Sequence, residues 1–150
     1  MQSTSGVFSI IICAVIVACA QFAKCDDVVG GGENSFYFDL PEHSYKSVVT
    51  AQQIAECPQW LPSDDNPPTS ARQAMRVAMA RLRQLVEARA LSSLDWKVRS
   101  VSLQQWDDET WYWVVSIDAA HRGGGSSLYN ASIIVLMNGQ AAEVREINKH

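Results

Sequence analysis

The sequence has no lysine or arginine before Lys24, no apolar run of 20 residues and only two cysteines beyond residue 20. A helix that crosses a roughly 30 Å hydrocarbon core needs about 20 apolar residues. The fourteen uncharged residues from Val7 to Ala20 are too few for that and suit the h-region of an export signal. His-x-x-x-His and Cys-x-x-Cys spacings are also missing, and His43, His121 and His150 are scattered, which argues against a metal site. Gly123-Gly124-Gly125 lacks the strand-to-helix setting of a phosphate loop, so no cofactor is implied. Positive charge is scarce as well: a net charge of -4 argues against nucleic acid as a partner.

What is present fits one domain, since 150 residues with 47% apolar side chains are enough for a single core. Ala18 and Ala20 supply the small side chains of a signal-peptidase site, which makes 1–20 a signal peptide and predicts a cut before Gln21. A second reading takes Ile16-Val17-Ala18-Cys19 as a lipobox, with the signal ending at residue 18 and Cys19 acylated. Both readings predict an exported protein (periplasmic, cell-surface or secreted), with membrane contact only through such an anchor. Cys25 and Cys57 then meet an oxidising compartment, where a disulfide between them would contribute about 3 to 4 kcal/mol. Cys57 as a nucleophile paired with His43 is the rival, disfavoured by Pro58 and by the lack of an orienting third group.

Residues 21–35, which include three consecutive glycines, read as a flexible leader, and 36–150 as a single α+β domain. Phe36-Tyr37-Phe38 suggests an edge strand and Val48 to Glu56 a short helix. The prolines between Cys57 and Thr69 make a connector. Ser70, with Gln73 three residues on, starts a helix from Ala71 to Ala88. Its buried arc gathers Ala71, Ala74, Met75, Ala78, Met79, Leu82, Leu85 and Val86. The apolar period then changes to two. Trp96 and Val98 alternate, the phase slips near Arg99-Ser100 as at a bulge, and Val101 and Leu103 continue. After the polar turn Asp107 to Thr110, Trp111, Trp113, Val115 and Ile117 form the inner set of a half-buried strand. Leu128 to Met137 is a third strand, and Asn138-Gly139 predicts a type I′ turn into a fourth, Gln140 to Arg145. The expected architecture is one long helix packed on a curved antiparallel sheet of about four strands.

The helix opening Ser70-Ala71-Arg72-Gln73-Ala74, the strand Lys97 to Gln105 and the strand Trp111 to Ile117 together resemble the core of cystatin-like folds, a shape shared with PepSY-type modules. The resemblance covers roughly Pro68 to Ile147. It implies the fold without inhibition of cysteine proteases, because the Gln-x-Val-x-Gly position holds Gln105-Trp106-Asp107-Asp108-Glu109.

Three groups of residues are candidates for contact with a partner. Five arginines against Glu87 give Ala71 to Leu91 a surplus of four positive charges, with Arg72, Arg76 and Arg83 on the wet side, suited to an acidic partner. Asp107, Asp108 and Glu109 form an acidic hairpin tip. Beside it, Trp106 offers an indole for stacking and a possible pair with Trp111. Asp118, His121 and Ser126 or Ser127 caricature a catalytic set on a glycine-rich loop, and Asn130-Ala131-Ser132 is a glycosylation sequon. These features point to a non-enzymatic module for a protein or peptide partner. The alternative is a small-ligand-binding or hydrolytic domain with a pocket between helix and sheet.

Overall fold

The computed structural model describes residues 32–88, 94–121 and 127–147. Of these residues strand accounts for 50% and helix for 21%. The order is β1 (Glu33–Leu40), β2 (His43–Thr50), α1 (Ala51–Ala55), α2 (Ala71–Glu87), β3 (Leu94–Gln105), β4 (Trp111–His121), β5 (Tyr129–Leu136) and β6 (Glu143–Ile147). The strands make two three-stranded antiparallel sheets: sheet I, ordered β1-β2-β6, and sheet II, ordered β3-β4-β5. This corrects the expectation of a single curved sheet of about four strands. The N-terminal hairpin supplies two strands of its own, and β6 leaves β5 to pair with β2.

In β1, Phe36, Phe38 and Leu40 alternate with exposed Tyr37 and Asp39, so one face is buried. The strand begins at Glu33, inside the stretch read as leader. The hairpin turns on Pro41 and on Glu42, whose φ of 66° is the left-handed corner of a type II pattern. In β2, Val48 and Val49 are both buried and Ser44 and Ser47 are buried polar residues, so the strand shows no period of two. Val48 to Thr50, expected to open a helix, end β2 instead. Helix α1 follows, with Thr50 and Gln53 forming a complete capping box.

Helix α2 starts where expected. Pro67 and Pro68 cannot continue a helix backwards, and the Ser70 hydroxyl accepts the Gln73 N–H at 3.3 Å. Ala74, Ala78, Leu82 and Val86 bury against Trp113, Val115, Ile117, Ile133 and Val135 of sheet II. Thr69 fixes this approach. Its hydroxyl donates to the Met137 carbonyl at 2.7 Å, and its own carbonyl accepts the Trp113 indole N–H at 2.8 Å. The helix lies closest to β5 and β4 and covers β3 less.

Sheet II carries the expected bulge, a register slip between Val98 and Ser100. The turn after β5 differs from expectation. Gly139 N–H bonds the Leu136 carbonyl, Leu136 N–H bonds the Gln140 carbonyl, and only Gly139, at φ 82°, has positive φ. This is a three-residue loop closed by a left-handed glycine instead of a type I′ pair. The chain then runs along the β5 edge, where Ala141 bridges Val135 and Ala142 N–H bonds the Ile134 carbonyl, before joining sheet I as β6.

Sheet I lies across that same edge. The buried Ser47 hydroxyl accepts the Ile134 N–H at 3.0 Å. From sheet I, Phe38, Leu40 and Tyr45 reach the α2 side of sheet II, while Phe36 and Val49 reach its other side. There Tyr112, Val114, Ile134 and Leu136 are buried with Val49, Ile54 and Ala142. The near half of β4 is therefore buried on both faces, where one wet face was expected. No described helix is long and apolar enough to cross a membrane.

Candidate functional site

Because α2 sits over β4 and β5, the helix-facing side chains of β3 are left half covered. Leu94, Trp96, Val98, Val101 and Leu103 share that face by register with Ala119, Ile117, Val115 and their neighbours on β4, and all five are only half-buried. No strand among the described residues pairs with the outer edge of β3. Between β3 and the helix runs a groove. At the Leu94 and Trp96 end of β3 it forms a depression of about 300 Å³, lined also by Met79, Leu82, Arg83, Val86 and Glu87. A second, more open depression, on the helix surface itself, shares Met79 and Arg83 with it and adds Met75 and Arg76. Met75 and Met79, placed in the buried arc by periodicity, are half-buried at the groove wall. Unbranched thioether chains there can adapt to different occupants.

The three arginines singled out from the sequence border this wall. At 3.6 residues per turn Arg72, Arg76 and Arg83 fall within about 40° of arc, on the Met75 and Met79 flank of the helix. All three are exposed. Arg81 lies on the opposite flank and bonds Gln84 at 3.2 Å. The Trp96 indole N–H is buried and has no acceptor among the described residues.

The acidic hairpin tip behaves differently. Asp107 Oδ1 accepts the N–H groups of Glu109 at 3.0 Å and Thr110 at 2.8 Å, so the carboxylate builds its own turn. The Thr110 side chain first, then those N–H groups, hold its pKa below the ordinary carboxylate value. Asp108 and Glu109 are exposed, and the Glu109 carbonyl accepts the Trp60 N–H at 2.9 Å. No group of three His, Cys, Asp or Glu side chains among the described residues can hold a metal ion. Trp106 packs edge-on against Tyr112, with ring centroids 6.5 Å apart, and joins the second core cluster. The partner of Trp111 is Trp60, at 5.7 Å, so the pair expected between Trp106 and Trp111 does not form. The indole that Trp106 was expected to present for stacking is therefore half-buried.

Asp118, His121 and Ser127 do line one open depression, of about 340 Å³, on the far face of sheet II. Their bonds lead elsewhere: Asp118 accepts the Asn130 amide at 2.7 Å, and the Ser127 hydroxyl donates to the Tyr129 carbonyl at 3.1 Å. A serine committed to a carbonyl and a carboxylate committed to an amide make no proton relay. Ser126 lies outside the described residues, as do Cys19 and Cys25. Cys57 is a half-buried free thiol that donates to the Gln53 carbonyl at 3.2 Å. His43 bonds Glu146 at 2.7 Å. Comparison with protein-family models, curated proteins and solved structures finds no match.

Sequence reasoning found the arginines and, in its alternative reading, a pocket between helix and sheet, but did not place the two side by side. The available signal was the width of the apolar arc on α2, which reaches from Ala74 to Met79. A helix with so wide an apolar flank leaves its last side chains at a boundary.

Proposed function

We propose that the chain is an exported, non-enzymatic binding module that takes a segment of a protein or peptide partner along the groove between α2 and β3. The observation that carries this reading is β3 itself, a 12-residue edge strand whose helix-facing apolar side chains stay half covered. An unpaired strand edge offers a row of backbone donors and acceptors, and an extended peptide satisfies them while its alternate side chains enter the adjoining groove. Export rests on the apolar run from Val7 to Ala20. The test is a displayed library of extended peptides, with each hit mapped by amide chemical shifts. Perturbations centred on Met79, Trp96 and Val101 support the reading. Binders that perturb only the far face or the hairpin tip would reject it.

A second reading is favoured by the depression beneath Trp96, whose apolar lining suits a small ligand. Its polar rim is confined to Arg83 and Glu87, which supports binding over hydrolysis. A panel of small apolar probes that perturbs Leu82, Val86 and Trp96, with no peptide doing so, selects it.

A further inference from the structure

We infer that the groove's occupant is an acidic segment that binds as an added strand on the outer edge of β3; this rests on the groove reading above. The argument is one of charge along the helix wall and at the bulge of β3. Arg76 and Arg83 line the helix wall, with Arg72 on the same flank one turn earlier, and the chain outside Ala71 to Leu91 carries an excess of eight negative charges, so this wall is a local exception to an acidic protein. Lys97 and Arg99 are exposed on β3. Lys97 points to the other face by register, where it pairs with Asp95 at 2.8 Å, and Arg99 stands at the bulge. A strand laid along β3 would thus meet the arginine wall with its groove-facing residues, beside Met79 and Trp96, and Arg99 at the bulge, while Lys97 is already paired with Asp95. Apolar and acidic residues both present among the groove-facing positions, every second residue of the segment, satisfy both demands.

The same charges disfavour a second copy as the occupant. Two chains joined edge to edge through antiparallel β3 strands would carry their α2 helices on one face of the joined sheet. Their arginine stripes would then face each other across the shared groove. Like charges brought together in this way oppose association. A basic segment is rejected on the same ground.

The experiment uses the full chain and a short labelled peptide whose every second residue is in turn valine or glutamate, with threonine between, read by fluorescence anisotropy and by amide exchange along β3. Controls replace glutamate by lysine, or carry backbone N-methyl groups on every second residue in either of the two phases. Binding of the glutamate peptide, loss in one N-methyl phase only and slowed exchange in Leu94 to Gln105 are expected. The double change R76E and R83E should weaken binding by about tenfold or more, and raised salt should weaken it for the unaltered chain. R76Q with R83Q gives an intermediate loss and guards against a folding defect. If the lysine peptide binds β3 equally well, the groove reading stands and the acidic inference falls. If neither peptide alters exchange in β3, both fall. Concentration-dependent dimers that slow β3 exchange would identify a second copy and overturn the inference. Binding that survives both N-methyl phases would overturn strand addition.

Discussion

At the β5 edge of sheet II each backbone group that faces outward beside Ile134 is taken: Ser47 accepts its N–H, Ala142 donates to its carbonyl, and sheet I covers the strand. At the β3 edge of the same sheet no described strand follows, and the helix stops short of covering the side chains. Both strands pair with β4 and contribute to one core, so the contrast lies in what flanks them. A sheet edge left long and unpaired is an association hazard unless it is blunted. Here Lys97, Arg99 and the bulge blunt β3 against random pairing.

The comparison can be broken by matched truncations. Ile133→Ala on β5 removes side-chain volume from a fully buried site and should cost about 2 to 5 kcal/mol in chemical denaturation. Val101→Ala on β3, half-buried, should cost clearly less. Equal losses would mean that β3 is as enclosed as β5. Gly139→Ala probes the loop that sends the chain along the β5 edge. A side chain there has φ 82° and a Cβ 2.8 Å from the Gln73 amide nitrogen, so a loss of about 1 to 3 kcal/mol is expected. Ser47→Ala leaves the Ile134 N–H buried without its acceptor. It should cost about 1 to 3 kcal/mol, with faster exchange confined to that edge.

The smallest effect concerns the outer face of sheet I. The hydrogen bond from Lys46 holds the Glu33 pKa below its ordinary 4.5, and that from Arg145 does the same for Glu143. A carboxylate whose pKa is lowered by folding contributes stability that is complete above its unfolded pKa and is lost as pH falls through the folded value. Melting temperature should therefore decline below about pH 4.5, and Glu33→Gln should make that decline shallower. The pairs are exposed, so added salt should reduce the difference.

Much of sheet II was legible because each of its elements repeats a local rule. The prolines and Ser70 fix the start of α2, and the phase slip at Arg99 marks the bulge. Sheet I was legible only at its edge, where Phe36-Tyr37-Phe38 announce β1. Its middle strand buries Ser47 because that hydroxyl serves Ile134, 87 residues away, and it buries Val48 and Val49 together, which hides the period of two. The Asn138-Gly139 pair signals a turn, but its type follows from the register of Leu136 with Gln140, which is a tertiary fact. At the candidate site the arginine stripe follows from helical spacing alone. Half-burial of Trp96 and Val101 does not, since it depends on where α2 comes to rest across the sheet.

Residue-resolved amide exchange on the free protein tests the open edge most directly. Amides along β3 should alternate, those turned toward β4 slow and those turned outward fast, while Ile134 and Ala142 stay protected. Uniform protection along β3, or fast exchange at Ile134, would contradict the account.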